Sequence, residues 1–392
     1  MLDSIYIAMS GLQGYSKGLR VIANNTANIN TPGFKSSSLQ FGDLFYSNNG
    51  APNNNFGQVG HGLSYGSTAL NFKQGELRQT GNSLDLAVDG QGLFTLKDAE
   101  GKLHYTRAGQ FEFNSDGILV NRSDGFKVMG QDSDGNMTEI SLSGKRTSEG
   151  KQTSEIKFSG SLLTTNTTQN VTGVKVMDKA GGEHTLGIKF TNTNATTAGS
   201  WAVEVSEGTT VIGTGQIIFS NGQIVPANSK VQMNYTPAGL TAMPLSFDFS
   251  ANVTATASSS LSLLAFASQN GYGPGALAGA SFDALGTLSL SYSNGQTVQG
   301  SRLSLAQFES LDSVAARGNN EFDAVNPADW HTGVAGKSNF GSVKSGMVEI
   351  SNVDLSQEFS DLIIMQRGYQ GSSQIISTAN EMLQELFSMK GK

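Results

Sequence analysis

Both ends of this 392-residue chain carry a helical apolar repeat, and the long middle does not. Near the start, Leu2, Ile5, Met9, Leu12 and Leu19 follow a three-and-four spacing that Ala23 and Thr26 continue. Near the end, Leu362, Met365, Tyr369, Ser372, Ile376, Ala379, Leu383 and Leu386 alternate in the same way. Such spacing gathers apolar side chains into one seam on each helix, the pattern of a coiled coil. Chain ends are ordinarily the frayed parts of a domain. Here they hold the most regular pattern in the sequence, which points to assembly rather than catalysis.

The first helix is expected from about Asp3, a plausible N-cap, to about Ala27. Asn24, Asn25, Asn28 and Asn30 crowd its end, and Thr31-Pro32-Gly33 stops it. Asp354 is placed to cap the last helix, with Gln357 able to bond back to the cap. Ordering two long helices costs much backbone entropy, so they are expected to order fully only against neighbouring copies.

The middle reads as β structure. Phe94 and Leu96, Leu103 and Tyr105, Phe111 and Phe113, Ile118 and Val120, and Phe126 and Val128 alternate with period two. Gly101, Gly109, Gly117 and Gly125 recur every eight residues, and three Asp-Gly pairs mark tight turns. The spacing predicts a β-meander. Residues 146–284 change character to Thr, Ser, Asn and Gly with short strands, as a separately inserted β domain would. The expected fold is mainly β with helical coiled-coil termini, nested β domains, and both terminal helices paired at one end. Its segments are a helix over 1–30, an extended linker over 31–70 that includes the polar run Asn48 to Asn55, and a β domain from 71–145 and 285–345. An insert over 146–284 and a last helix over 350–392 complete it.

Charged residues are only 15% of the chain and the net charge is −7, with no basic cluster. Nucleic acid and membrane insertion are therefore not expected, because phosphate-rich partners demand concentrated Lys and Arg, and no run is long and apolar enough to span a bilayer. The absence of cysteine excludes disulfides, thiolate metal sites and a cysteine nucleophile. A Sec-type signal sequence is not expected, because Asp3, Ser4 and Ser10 interrupt the apolar positions of Met1 to Leu12.

Catalytic and metal signatures are weak. His61, His104, His184 and His331 are scattered without metal-ligand spacing, and no G-x-S-x-G elbow is present. Asp132-Ser-Asp-Gly-Asn136 resembles a calcium-loop fragment, but its Gly comes one place too early and the twelfth position is Ser143, so a turn is expected. Gly271-Tyr-Gly273-Pro-Gly275 lacks the Lys-Ser/Thr of a phosphate loop and reads as a connector. No catalytic residue, cofactor or metal is expected.

Several motifs closely resemble those of bacterial flagellar rod and hook proteins. At the start these are Ser10-Gly-Leu12, Ile22-Ala-Asn-Asn25 with Ala27-Asn28, and Thr31-Pro-Gly33-Phe34-Lys35. In the centre they are Gln74-Gly-Glu-Leu77, the run from Thr80-Gly81 through Asp85 to Asp89-Gly90, and Tyr105-Thr-Arg-Ala-Gly109. At the end they are Ser351-Asn352-Val-Asp354-Leu-Ser356, Gln366-Arg367-Gly-Tyr369-Gln370 and Glu381-Met-Leu383. The resemblance implies a structural axial subunit. The long inserted β domain favours the hook, a curved tube acting as a universal joint, over a rod-like member, although Met1 to Ser10 is similar to the start of a proximal rod component. A surface adhesin shares the β-rich middle but has no need of paired terminal heptads.

The resemblance also implies the partners: copies of the chain in a helical polymer, the distal rod below, a hook–filament junction protein above, the hook cap during assembly, and the flagellar export apparatus. The expected location is outside the cell envelope, reached without a cleaved signal peptide. The apolar seams would bind neighbouring subunits, and the neutral polar set Gln357, Gln366, Gln370, Gln374 and Gln384 would approach a central export channel.

Overall fold

The computed structural model describes residues 2–48, 58–132, 134–258 and 263–390. Helix α1 spans Leu2–Ala27 and helix α2 spans Leu355–Lys390, and nearly all regular structure between them is β. The chain forms two compact units, one of residues 1–143, 280–290 and 298–392, the other of residues 144–279 and 291–297. The border therefore falls inside a β-hairpin, and residues 291–297 belong with the insert rather than with the 285–345 segment expected from sequence. Composition places a border where residue usage changes, but the hairpin strands Gly275–Phe282 and Thr287–Tyr292 share one alternating pattern across it.

In the first unit, Leu93–Lys97 pairs antiparallel with Leu103–Thr106, Lys127–Gln131 and the long strand Thr297–Phe308. Phe94, Leu96, Phe111, Leu119, Val128, Leu303 and Leu305 are buried there, with the Phe94 and Phe111 rings edge to face at 5.1 Å. Gly101, Gly117 and Gly125 take positive φ at the turns between strands. Gly109 does not turn the chain. A Cβ there would collide with the Leu86 carbonyl, so it marks a close backbone approach instead. A second apolar patch stacks Tyr105 on Trp330 at 4.0 Å, with Trp330 Nε1 donating to the Ser313 carbonyl.

Residues 31–70 differ from the extended linker expected. Ser37–Asp43 and Leu63–Leu70 form an antiparallel hairpin, continued by Tyr46–Asn48 with Gln58–Gly60. Most of the run Asn48 to Asn55 lies outside the described residues. The hairpin was obscured because its Ser- and Gly-rich strands gain their order from α1 rather than from alternation. Leu63 donates its N–H to Ser10 Oγ, Phe41 packs 6.0 Å from Tyr15, and Lys17 Nζ lies 3.7 Å from the Tyr65 ring centre.

The second unit closes on its own core. Thr168–Met177, Glu183–Asn192, Ser200–Glu207 and Thr210–Ser220 run antiparallel in order. Glu155–Leu163 adds parallel pairings to Met243–Asp248 and Val253–Thr256. Trp201, Phe158, Phe190, Phe247 and Phe249 fill the interior with Val and Ile from alternate positions. Val171 and Val174 are both buried because the pairing slips by a bulge between them, which restores the period-two phase.

Candidate assembly surface

The two helices pack together through small residues. On α1 the buried positions are Ala8, Gly11, Gly14, Gly18, Ile22 and Asn25, a three-and-four stripe one step around from the apolar one. A Cβ on Gly11 would lie 2.8 Å from Ser372 Oγ, and one on Gly18 would lie 3.0 Å from Met365 Sδ. On α2 a Cβ at Gly368 would overlap the Tyr15 ring, so the ring fills the place a side chain would take. Missing Cβ atoms allow backbones to approach closely, which a seam of large apolar residues would prevent.

This alters the expected seam. Leu362, Met365, Ile376, Ala379 and Leu383 do line the inner face of α2, half-buried or buried. Tyr369 is 41% exposed and Leu386 50% exposed, so neither belongs to that inner face. On α1, Ile5, Leu12 and Leu19 are only half-buried and Met9 is 44% exposed, while the Leu2 side chain lies outside those described. Gly11, Gly18 and Gly368, which carry no side chain to enter an apolar repeat, make the contact instead. This close contact and the hairpin on α1 supply part of the burial of both helices within the chain.

Two further flanks of α2 remain open. Ile364, Ile375, Met382 and Leu386 are 62%, 51%, 44% and 50% exposed, and their spacings of eleven, seven and four put them on one side. Gln366, Gln370, Gln374 and Gln384 are exposed on another. Gln357 is not among them: nine residues, about two and a half turns, separate it from Gln366, which sets it on the opposite side. Its Nε2 donates to Asp361 Oδ1 at 3.0 Å. The glutamine flank also carries Phe359 and Ile363, exposed at 53% and 58%, so it is not uniformly polar.

At the base of the helices the three motif regions meet. Asn25 is buried, its Nδ2 donating to the Ser37 carbonyl and to Glu358 Oε1, its Oδ1 accepting the Ser37 N–H. Burial pushes the Glu358 carboxyl up from its ordinary value. Asn352 Oδ1 accepts the Ser36 N–H while its Nδ2 donates to the Asn71 and Lys73 carbonyls. Asp354 Oδ1 caps α2 on the Ser356 and Gln357 N–H groups. Gly33 donates its N–H to the Glu349 carbonyl, and Phe34 accepts that of Asn352. Asn28 Nδ2 bonds back to the carbonyl and Oδ1 of Asn24. Asp85 meets Arg122 at 3.2 Å, Asp89 accepts from Gln74, and Gly81 turns the chain at φ 79°. Gln366, Arg367 and Tyr369 are exposed and stand apart from this junction, Arg367 donating to Gln370 Oε1.

Beneath them lies a buried charge knot. Glu349 Oε1 is 2.6 Å from Lys35 Nζ and Oε2 is 3.0 Å from Arg107 Nη1, with the Lys35 and Glu349 side chains fully buried. Arg107 also donates to the Val88 and Gly90 carbonyls, and Lys35 to the Lys73 carbonyl. Burial pulls the pKa of both cations down, and Glu349 opposes that shift. Glu349 thus ties the N-terminal, central and C-terminal motifs together, yet it lies outside the motifs. Its one sequence signal is a lone acid in the apolar run Met347-Val-Glu-Ile350.

The histidines are spread over separate partners. His104 bonds Asp98 and Asp323, His184 bonds Asp178 and Glu207, His331 bonds Glu309, and His61 bonds Ser47. Asp132 Oδ1 accepts the N–H groups of Asp134 and Asn136, as in a tight turn. Among the described residues no group of three or more His, Cys, Asp or Glu is arranged to hold a metal, and no helix is long and apolar enough to cross a membrane.

A tied motif junction that carries two helices with open apolar flanks defines a structural subunit whose working surface is a face rather than a pocket. Residues 5–35 match the family described as flagella basal body rod protein. Residues 87–172 match the D1 domain of flagellar hook protein FlgE/F/G, and residues 344–389 the C-terminal region of flagellar basal body rod FlgEFG protein. The flagellar hook protein FlgE of Escherichia coli K12 is 29% identical across 98% of this chain and 99% of its own length. That of Treponema pallidum is 28% identical across the whole of both chains. The crystal structure of Helicobacter pylori flagellar hook protein FlgE2 shares the fold, with a TM-score of 0.51 at 13% identity over 69% of this chain and 100% of that one. The chain is thus similar to flagellar rod and hook proteins along its whole length.

Proposed function

We propose that the chain is a structural subunit of the flagellar hook, polymerising into a curved hollow tube that passes motor torque to the filament while it bends. The observation that carries this reading is the open apolar flank of α2, Ile364, Ile375, Met382 and Leu386, in a chain that aligns end to end with hook proteins. Contiguous exposed apolar surface marks an interaction site. Head-to-tail contacts that do not close on themselves generate a helical polymer.

In this reading α2 meets neighbouring copies through that flank and, on a different side, through Tyr369, and α1 through Leu2, Ile5, Met9, Leu12 and Leu19. Gln366, Gln370, Gln374 and Gln384 approach the central channel. Neutral carboxamides there neither hold apolar stretches of unfolded cargo nor bind its charges. The polymer joins a distal rod at its base and a junction protein at its tip, grows beneath a cap, and lies outside the cell envelope. The role is structural and asks for no catalysis.

Salting out purified protein and imaging it by negative-stain electron microscopy tests the reading. Curved hollow tubes are expected. Straight tubes indicate a rod-like subunit, and monomers or amorphous precipitate contradict assembly altogether.

A further inference from the structure

A cavity of about 420 Å³ opens in the first unit where several strand ends meet. Gln131 ends the strand Lys127–Gln131 and pairs with Arg302 on Thr297–Phe308. Lys337 lies in the turn after Trp330–Val334, and Thr287 starts the strand Thr287–Tyr292. All four, with Gln299 and Asp132, line the cavity.

Its electrostatics are unusual for this acidic chain. Several other cations of the unit have counter-charges: Lys35 and Arg107 share Glu349, Lys102 has Asp323, Lys127 has Glu139, and Arg122 has Asp85. Among the described residues, the Arg302 and Lys337 side chains have no ion-pair or hydrogen-bond partner, and nor do the Gln131 and Gln299 carboxamides. Thr287 carries a hydroxyl that is shielded from solvent and also lacks a hydrogen-bond partner. The one carboxylate in the lining, Asp132, is already occupied by the N–H groups of Asp134 and Asn136 and by Asn136 Nδ2. Two cations against one satisfied anion leave the cavity with a net positive charge and several uncommitted donors.

We propose that this cavity binds an oxyanion, a carboxylate or phosphate group held by Arg302 and Lys337 with the carboxamides beside them. Arg presents a planar fork that suits either group, and Lys adds a point charge. The oxyanion has two possible sources, a free anion or an exposed carboxylate of a neighbouring subunit. The second source rests on the polymer reading above, and the first does not.

The test uses the full chain and two double variants that each remove two positive charges. Arg302→Gln with Lys337→Gln empties the cavity of cations, while Lys73→Gln with Arg78→Gln removes exposed ones elsewhere. Monomer is titrated with inorganic phosphate and with citrate at low salt, following the backbone amides of Gln131, Thr287 and Gly300, which every variant keeps, by NMR, and the critical concentration for polymer formation is measured for each variant. Saturable shifts lost only in the cavity variant identify a free oxyanion. With no such shifts, a critical concentration raised about fivefold in the cavity variant alone identifies a neighbour's carboxylate. The conservative pair Arg302→Lys with Lys337→Arg restores either effect if the fold is intact. No saturable binding, together with equal critical concentrations in the two double variants, overturns the proposal. Should the wild-type chain form no polymer, the polymer reading fails while the titration still decides for or against a free anion.

Discussion

The insert and the helix pair handle apolar surface in opposite ways. In the unit of residues 144–279 and 291–297, the large aromatic side chains Trp201, Phe158, Phe190, Phe247 and Phe249 are sealed inside strands that pair with one another. The helix pair buries mostly small residues where it makes contact, and leaves Ile364, Ile375, Met382, Leu386 and Phe387 in the open. One region is finished by its own chain. The other leaves apolar surface that, in the proposed reading, neighbours cover, and that difference would separate a passenger domain from an assembly element.

The comparison breaks most readily at Trp201. Trp201→Ala deletes the largest buried ring of the insert, and such deletions cost about 3–5 kcal/mol. The β transition in circular dichroism is expected to fall sharply in temperature while the helical signal at 222 nm persists. Joint loss of both signals would mean that the two regions are not independent. Glu349→Ala comes next, because it leaves Lys35 and Arg107 buried without their counter-charge. Removing one partner of a buried ion pair costs about 3–5 kcal/mol, here read by urea unfolding as a loss confined to the first unit. A cost below about 1 kcal/mol, the ordinary worth of an exposed pair, would show that the knot does not tie the motifs together.

A pH effect of intermediate size is expected at Glu321. Burial, with the Asp124 carboxylate beside it, pushes this carboxyl from 4.5 up to about 8. A folded-state pKa above the unfolded one means the stabilisation is complete below pH 4.5 and is lost as pH rises towards about 8. The melting temperature of the first unit should therefore fall over that window relative to Glu321→Gln, with the two curves keeping a constant separation below it. Parallel curves across the whole range would contradict the assignment. The smallest effect is at the start of α2: Asp354→Ala removes the cap on Ser356 and Gln357 and should cost about 1 kcal/mol. Helix content that does not change would place the anchoring of α2 in Asn352 and Asn25 instead.

Much of this division was legible in the sequence. Period-two alternation located the strands around Phe94, Tyr105 and Val128, because a strand buried on one face must repeat every second residue. The Asp-Gly pairs marked the turns. Three-and-four spacing found both helices, and on α2 it found most of the inner stripe. Legibility ended where the decisive atoms were missing or distant. Gly11, Gly18 and Gly368 carry no side chain to enter a hydrophobic pattern, yet their bareness sets the helix contact. Glu349 meets Lys35 across 314 positions of chain, a pairing that local pattern cannot express. The hairpin from Ser37 to Leu70 was hidden for a related reason, since its order comes from Ser10, Gly14 and Tyr15 on α1.

The central claim is that the outer half of α2 is completed by other copies of the chain. Hydrogen–deuterium exchange of the segment 380–390, read by mass spectrometry in monomer and in polymer, tests it most directly. In the monomer, where nearly every described side chain past Ala379 is exposed, amides there should exchange rapidly, while those around Met365 and Ser372 stay protected against α1. In the polymer the 380–390 amides should become protected by orders of magnitude. Equal protection of that segment in monomer and polymer would contradict the account.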